Sequence, residues 1–182
     1  EVKFVGFNNE IIEIINVQKD EPINYPTPIT IEGYDFIKWD KDVTNATCNT
    51  TITAIYKIKT FTVIFKDING DVAKEVIVKY NDNAIAPTLS KVEGYEFNCW
   101  DKEFNNVKSN LEVNPIYNKE KYKVSFFDYD GNLIEEQLVE YGENASLVDA
   151  PLKDGYKFIR WDENLTNIKD DLNILYNISY RY

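Results

Sequence analysis

The sequence contains one segment three times at a constant spacing, and this repetition limits the fold more than any other feature. Residues 33–40 (GYDFIKWD) return as residues 94–101 (GYEFNCWD) and again as residues 155–162 (GYKFIRWD), so both steps are 61 residues. Nine positions are identical in all three copies. Self-similarity at a fixed period is typical of repeat architectures, in which each repeat is one structural unit. The sequence therefore predicts three tandem modules, at residues 1–59, 60–120 and 121–182.

Each module is predicted to consist mainly of β-strands. Residues 62–65 and 123–126 alternate between apolar and polar side chains and lead into Asn69-Gly70 and Asp130-Gly131. Asn-Gly and Asp-Gly between apolar runs indicate hairpins, because both residues tolerate positive φ. The predicted order is strand, tight turn, strand, long loop, strand, short turn and strand. The junctions at 57–60 and 118–121 contain neither Gly nor Pro, which predicts closely joined modules in an extended array.

The Gly-Tyr-x-Phe-x-x-Trp segment is predicted to be the third strand of each module. Its Phe and Trp are three residues apart, and strict alternation cannot place both on one face. We therefore expect a β-bulge between them. The Asp after each Trp suits the N-cap of a single helical turn. That turn would bury Val43, Phe104 or Leu165.

Composition argues against several classes of function. The chain has 182 residues, a net charge of −11 and no histidine. An acidic chain repels nucleic-acid phosphates and anionic lipids, and the sequence has no apolar run of about 18–20 residues that would insert into a membrane. Without histidine there is no Ser-His or Cys-His nucleophile pair and no His-based zinc site. We therefore expect no enzyme, with no catalytic residue, metal site or cofactor.

The cysteines and the missing methionine add two smaller expectations. Cys48 and Cys99 occupy unmatched positions of the repeat, which favours free thiols over a disulfide framework. The sequence has no methionine, as expected for a segment of a longer polypeptide.

The combined pattern resembles the Listeria–Bacteroides repeat, the family of the B repeats of internalin B. It consists of Val-x-Phe-x-Asp-x-Asn/Asp-Gly, then Val-x-Tyr-Asn/Gly, then Gly-Tyr-x-Phe-x-x-Trp-Asp, and a last alternating strand that ends in Tyr. The resemblance implies a mostly-β, β-grasp-like (α+β) module of four strands with little helix, found in tandem on bacterial cell-surface and secreted proteins. Such modules act as spacers or stalks, and some bind proteins or glycans. The resemblance brings no catalytic residues with it.

The first copy departs from this pattern at two turns. It has Gly6-Phe7-Asn8-Asn9 in place of the Asp-x-Asn/Asp-Gly turn, and Lys19-Asp20 in place of Tyr-Asn/Gly. Terminal repeats are often atypical. We therefore expect altered turn geometry in the first copy.

Two groups of residues have both a structural and a ligand-binding interpretation. The segments 67–71 and 128–132 resemble the opening of a calcium loop, but they lack the Glu at its twelfth position, so a plain hairpin turn is favoured over a weak calcium site. The motif tryptophans and tyrosines could form a sugar-stacking platform, but each module needs a core and large aromatics dominate small cores. Unmatched aromatics are better binding candidates. These groups are Trp39, Trp100 and Trp161 with Tyr34, Tyr95 and Tyr156, and the unmatched Phe7, Phe127 and Tyr129.

The expected function is a non-catalytic stalk or spacer of a bacterial cell-surface or secreted protein. On this hypothesis the array is extracellular and monomeric, does not bind nucleic acid and does not insert into membranes. The alternative is an adhesive module that binds a host or cell-wall protein or glycan. A hydrolase that uses only carboxylates is a third alternative, for which no spacing in the sequence provides support. Intramolecular isopeptide bonds would suit a stalk, but the sequence does not indicate one.

Overall fold

The computed structural model describes residues 1–180, with side chains up to Ser179. Residues 181 and 182 of the predicted third module lie outside this range. The chain divides into two compact units. The first contains Glu1–Pro87 and Lys102–Asn114, and the second contains Thr88–Asp101 and Pro115–Tyr182. The second repeat therefore contributes segments to both units.

The described residues form β-strands connected by turns and loops, with no α-helix. Within them, accordingly, no helix is suited to crossing a bilayer. The mostly-β tandem array expected from the sequence is confirmed. The strands are β1 (Val2–Val5), β2 (Ile11–Ile15), β3 (Tyr34–Trp39), β4 (Thr50–Ile58), β5 (Thr60–Lys66), β6 (Val72–Lys79), β7 (Tyr95–Trp100), β8 (Leu111–Val113), β9 (Pro115–Lys119), β10 (Lys121–Phe127), β11 (Leu133–Glu140), β12 (Tyr156–Trp161) and β13 (Leu172–Tyr180).

The first unit contains two sheets. The four strands of the first repeat have the order β2-β1-β4-β3. Strands β1 and β4 are parallel neighbours at its centre, and antiparallel hairpin partners flank them. The second sheet has the order β6-β5-β8, and its central strand β5 is parallel to the edge strand β8. A parallel pair formed by the first and last strands fits the β-grasp-like module that the family resemblance implies.

The second unit contains a two-stranded ribbon and a four-stranded sheet. Strands β7 and β9 pair in antiparallel fashion, and the third repeat has the order β11-β10-β13-β12. The third repeat thus reproduces the strand order of the first. The equivalent of β4 and β13 is interrupted in the second repeat at Asn114, between β8 and β9, and β9 begins with Pro115 in the position of Ala54 and Tyr176. Proline has no N–H to donate to a sheet ladder, which accounts for the interruption at this position.

The predicted hairpins are present. Gly70 and Gly131 have φ values of 83° and 84°, whereas the preceding Asn69 and Asp130 are not in the positive-φ region. The carboxylate of Asp67 accepts hydrogen bonds from the N–H groups of Asn69 and Asp71, each at 2.9 Å. An Asx-type bond of this kind fixes a turn with only one residue at positive φ. Of the two turn residues that tolerate positive φ, only the glycine adopts it.

The first repeat reaches the same turn backbone with different residues. Asn9 takes the place of the turn glycine and has a φ of 60°. At the next turn Asp20 has a φ of 67°, the same value as Asn81 at the equivalent position. Asn and Asp tolerate this conformation better than other non-glycine residues. The expected disturbance of the backbone at these turns is therefore absent.

The predicted bulge is confirmed in all three repeats. The register with the neighbouring strand shifts between Phe36 and Lys38, between Phe97 and Cys99, and between Phe158 and Arg160. The shift brings each Phe onto the same face as the Trp that follows it. The ring centroids of Phe36 and Trp39 are 5.5 Å apart, and those of the two later pairs are each 5.4 Å apart.

The Asp after each Trp is not a helix cap, so this prediction is wrong. The Asp40 carboxylate accepts a hydrogen bond from the N–H of Thr53 at 2.6 Å, and the Asp40 N–H donates to the Thr53 carbonyl at 2.8 Å. Asp162 makes the corresponding pair of bonds with Leu175. Asp40 and Asp162 therefore continue the β3–β4 and β12–β13 ladders, so the side chain satisfies a strand N–H rather than a helical one.

The loop that follows the first hairpin of each repeat is hydrogen-bonded to the segment before the last strand. In the first repeat, Asp20 and Ile23 donate backbone hydrogen bonds to the carbonyls of Ala46 and Thr44, both at 2.8 Å. Ala46 donates in return to Glu21 at 3.0 Å. The other two repeats contain equivalents of these bonds, except that Ala84 and Ala145 donate to the carbonyls of Phe104 and Leu165, one position earlier than Thr44. They satisfy the polar backbone of an irregular segment, which explains how the sheet is covered without a helix.

The cores lie on one face of each sheet. Phe4, Phe65 and Phe126, which align in the three repeats, are completely buried. Val43 and Leu165 pack against the first and third cores, and the Phe104 ring lies 5.2 Å from that of Phe65. These three side chains are only half-buried. The sequence therefore predicted their packing correctly but not the conformation of the segment that carries them.

Candidate functional site at the repeat joint

The motif tryptophans pack inside the modules, as the core interpretation predicted. Trp161 is 8% exposed and its ring lies 5.1 Å from Phe126. Trp39 is half-buried and lies 5.2 Å from Phe4. Trp100 is also half-buried and contacts Phe97. Rings held in this way do not form an exposed sugar-stacking platform.

The candidate calcium segment is a hairpin turn whose leading carboxylate is already engaged. Asp128 accepts hydrogen bonds from the N–H of Asp130 at 2.9 Å and the N–H of Asn132 at 2.8 Å. The Asn132 side-chain amide also donates to it, and this bond is the main reason that the pKa of Asp128 lies below its ordinary value. Within residues 1–180, no cluster of three or more His, Cys, Asp or Glu side chains is arranged to hold a metal ion.

The unmatched aromatics lie in three different environments. Phe127 is half-buried, whereas Phe7 is exposed and lies 4.8 Å from the ring of Tyr34. Tyr129 is 54% exposed and stacks on Tyr156 at 6.1 Å. The Lys153 ammonium lies 3.8 Å from the Tyr129 ring centroid and therefore occupies one of its faces. Cys48 and Cys99 are free and exposed.

The motif tyrosines lie at the ends of the modules, where one repeat meets the next. The linkers there are shorter than the sequence indicated, because Lys59 alone separates β4 from β5 and Glu120 alone separates β9 from β10. Two joints are therefore described, one within each compact unit, and both are built in the same way.

In the first joint, Tyr80 of the second repeat packs on Gly33 of the first. Gly33 is buried and has a φ of 78°. A methyl group added at Gly33 would lie 2.1 Å from Cδ1 of Tyr80, far inside van der Waals contact. Glycine is therefore required here twice, for its conformation and for the close approach of the ring.

The linker residue Lys59 is held on both sides. Its N–H donates to the Gly33 carbonyl at 2.8 Å, and its carbonyl accepts from the N–H of Tyr80 at 2.8 Å. One residue therefore joins the backbone of both repeats. With both of its hydrogen-bonding groups engaged, the linker has little freedom to rotate.

A carboxylate receives the hydroxyl group of Tyr80. The Tyr80 O–H donates to Glu32, the residue before Gly33. The Lys108 ammonium lies 3.7 Å from the Glu32 carboxylate and 5.7 Å from the centroid of the Tyr80 ring. The hydrogen bond from Tyr80, followed by the charge of Lys108, lowers the pKa of Glu32. The same hydrogen bond raises the pKa of Tyr80.

The second joint repeats these contacts with different linker chemistry. A methyl group at Gly94 would lie 2.1 Å from Cγ of Tyr141. The Tyr141 O–H donates to Glu93 at 3.1 Å. The linker residue Glu120 donates to Gly94 at 2.8 Å and accepts from Tyr141 at 2.9 Å. The geometry therefore does not depend on the charge of the linker side chain.

Additional contacts reinforce the second joint. The ring of Tyr95, the residue after Gly94, lies 6.0 Å from that of Tyr141. Lys119 and Glu143 form an ion pair at 2.6 Å. Their mutual hydrogen bond raises the pKa of Lys119 and lowers that of Glu143. Both joints consequently combine apolar, backbone and charged contacts.

Reasoning from the sequence missed this site, although a signal was available. Tyr80 and Tyr141 are identical, but the same position in the first repeat is Lys19. The position is tyrosine only in the second and third repeats, each of which follows another repeat of this chain. This difference indicates a contact between repeats rather than a contact inside each one. The glycine of each motif is identical in all three copies, but its role in contacting the next repeat was not inferred from the sequence.

Comparison with known proteins agrees with this architecture. The sequence pattern of the Listeria-Bacteroides repeat domain matches residues 1–59, 61–118 and 122–175. Two relatives from Evansella cellulosilytica, described as "Putative membrane protein" and "Putative Gly-rich membrane protein", are 28% and 25% identical over 88% of this chain. The chain spans only 27% and 21% of the length of these relatives.

A similarity search among solved structures gives a weaker result. The crystal structure of Mub-RV covers 96% of this chain, and the match covers 95% of that protein, at 12% sequence identity with a TM-score of 0.21. A TM-score this low carries no argument about the fold. The family assignment rests on the three matched segments, which together include most of the chain. The chain therefore belongs to the Listeria–Bacteroides repeat family, of which it carries three copies in tandem.

Proposed function

We propose that this chain is a non-catalytic stalk or spacer in an extracellular, surface-attached bacterial protein. The observation that carries the proposal is the joint, because two successive repeats are seated on their predecessors by the same set of contacts. A spacer needs a fixed relation between neighbouring units more than it needs a cleft. The joints supply that relation with a single linker residue each.

The structure suggests how each joint resists bending. The tyrosine ring fills the space above a glycine, and the linker backbone is bonded to both repeats. Rotation about the linker would break two backbone hydrogen bonds and expose the ring. In repeat proteins, such nearest-neighbour contacts add to the stability of each unit. They matter most for units of about 60 residues, which bury a small fraction of their surface when alone.

The placement outside the cell rests on the family and on the names of the relatives. Both Evansella relatives are described as membrane proteins, which fits a repeat region of a surface-associated protein. The net charge of −11 supports the same role, because like charges keep an array soluble and separated from anionic surfaces. We propose that the repeats project from that surface as monomers.

One observation favours the alternative, an adhesive module for a host or cell-wall protein or glycan. Tyr129 is 54% exposed and stacks on Tyr156, so the third repeat presents two aromatic rings together. A glycan array is the direct test of this alternative. Specific binding that is lost in Tyr129→Ala and kept in Phe7→Ala, an exposed aromatic of another repeat, would favour adhesion over a passive spacer.

Small-angle X-ray scattering of the complete chain tests the spacer proposal. The longest strands have nine residues and therefore span roughly 30 Å. Three modules of this length in a row would reach on the order of 90 Å, corresponding to a radius of gyration of roughly 26 Å. A single globule of this length would have a radius of gyration of about 16 Å. We expect a value near the larger figure, together with a narrower distance distribution in the wild type than in Tyr80→Ala. A value near the smaller figure would exclude the spacer.

A further inference from the structure

In the first two repeats the motif glycine is the seat on which the tyrosine ring of the next repeat lies. The third repeat contains the same seat at Gly155, but within the described residues nothing covers it. Gly155 aligns with Gly33 and Gly94 and has the same backbone, with φ values of 77°, 78° and 75°. Gly33 and Gly94 are buried, whereas Gly155 is exposed. A methyl group placed at Gly155 would meet no described atom within 4 Å. The seat is therefore formed before any partner arrives.

The groups around Gly155 match those of the occupied joints. Asp154 provides a carboxylate at the position of Glu32 and Glu93, which accept the tyrosine hydroxyl groups. Tyr156 stands where Tyr95 contacts the incoming Tyr141 ring. Tyr156 is already oriented by its stacking on Tyr129. The face around Gly155 thus combines a hydrogen-bond acceptor for a hydroxyl group, Asp154, with an aromatic ring, Tyr156. Both flank a glycine that has no side chain.

We propose that the face around Gly155 is the acceptor half of a joint and that it binds the hairpin tyrosine of a further repeat of this family. The partner is a repeat with tyrosine at the position of Tyr80 and Tyr141, fused on the C-terminal side of the third repeat. Its tyrosine ring would lie on Gly155, and its hydroxyl group would donate to Asp154.

A second copy of this chain is not the proposed occupant. The first repeat presents Lys19 where the ring would have to be. Tyr80 and Tyr141 already lie on glycines of their own chain. A lysine at this position has no ring to cover the glycine, although its charge could approach Asp154. The described residues therefore offer no free tyrosine of the required kind for association between copies.

The inference rests on the joints and extends the proposed spacer function, because an array that grows by one kind of joint accepts further repeats of the same type. The third repeat is ready to receive a neighbour, whereas the first repeat lacks the matching tyrosine.

A four-repeat chain tests the proposal. A second copy of residues 122–182, fused directly after residue 182, keeps the 61-residue spacing. Amide hydrogen exchange is then followed at the added copy of Tyr141. If that tyrosine is seated, its N–H is hydrogen-bonded like that of Tyr141 in the second joint and should exchange at least ~10-fold more slowly than in a four-repeat Gly155→Ala chain. The original Tyr141 amide should exchange equally in both chains, which reports an intact fold.

A second variant protects the test against an effect of Gly155→Ala on the third repeat itself. Replacing only the added copy of Tyr141 by lysine, as in the first repeat, should remove the protection and leave the third repeat unchanged. Gly131→Ala is the matched control, since Gly131 also has positive φ and no described neighbour within 4 Å of an added methyl group. It should leave the protection of the added tyrosine unchanged.

Two results would overturn the proposal. One is an added tyrosine whose amide exchanges at the same rate in the unmodified and Gly155→Ala four-repeat chains. The other is a three-repeat chain that dimerises in analytical ultracentrifugation and loses this dimer in Gly155→Ala, which would make a second copy the occupant. If scattering nevertheless shows an extended three-repeat chain, the spacer function stands and only this inference fails.

Discussion

Tyr80 lies so close to Gly33 that its ring occupies the space in which any other residue would carry its Cβ. The two residues belong to successive repeats and are brought together by a single linker residue, Lys59. The same relationship holds between Tyr141 and Gly94. The contact therefore makes glycine at residues 33 and 94 a requirement of the array as well as of the single module.

This contact predicts a graded series of glycine substitutions. Gly131→Ala should cost about 1–2 kcal/mol in the free energy of unfolding, because it only forces alanine into positive φ. Gly33→Ala should cost roughly another 1–3 kcal/mol, because the methyl group also collides with Tyr80. Urea unfolding measures both values. Equal losses for the two variants would show that the ring contact contributes nothing.

The pair Glu32 and Tyr80 predicts a dependence on pH at both ends of the scale. The pKa of Glu32 lies below its ordinary value of 4.5, so its contribution is complete above that pH and is lost as the pH falls through the folded value. The pKa of Tyr80 lies above its ordinary value of 10.0, so its contribution is complete below pH 10 and is lost as the pH rises through the folded value.

Glu32→Gln isolates this contribution from the many other carboxylates. The difference in unfolding free energy between wild type and Glu32→Gln should be greatest near pH 7 and should shrink in acid and in alkali. Glu96→Gln, an exposed carboxylate of the second repeat, serves as the control. A difference that stays constant from pH 3 to pH 11 would contradict the assignment of this hydrogen bond.

The bulge predicts that its extra residue, Ile37, can be removed at little cost. Ile37 is 52% exposed, so Ile37→Ala should change the free energy of unfolding by no more than about 0.5 kcal/mol. Deletion of Ile37 would leave Phe36 and Trp39 two positions apart, so strict alternation would keep both on the core face. The expected loss is therefore well below the roughly 3–5 kcal/mol that truncation of a buried tryptophan costs, for which Trp39→Ala is the comparison.

Tryptophan fluorescence and thermal unfolding check this prediction. The deletion and Ile37→Ala should both leave the emission unchanged, because Trp39 stays packed on Phe36 and Phe4. A deletion variant with red-shifted emission and a loss of stability as large as that of Trp39→Ala would contradict the assignment of Ile37 as the extra residue of the bulge.

The role of the Asp after each Trp can be tested separately. Asp40→Ala removes the acceptor for the Thr53 N–H, so the Thr53 amide should exchange faster and the unfolding free energy should fall by about 1 kcal/mol. Asp42→Ala, two residues further along the chain and exposed, is the control. An unchanged Thr53 amide together with faster exchange at residues 41–44 would restore the helix-cap interpretation.

Much of the fold could be inferred from the sequence because the relevant signals are local. Apolar alternation and Asn-Gly or Asp-Gly dipeptides located the strands and hairpins within a few residues. The spacing of Phe36 and Trp39 indicated the bulge because alternation fails over three positions. The helix-cap prediction failed at Asp40 because an Asp side chain accepts a hydrogen bond from any nearby N–H, and the local sequence does not specify which one.

The sequence by itself determined the period of 61 residues, the β-strand content, the family and the packing of the tryptophans. These properties follow from residue order within one repeat. Tertiary structure alone decided that Asp40 bonds to Thr53 and that Tyr80 covers Gly33. The physical reason is distance along the chain. A contact between residues 47 positions apart is not specified by the neighbours of either residue in the sequence, because it depends on how the linker aligns two already folded sheets.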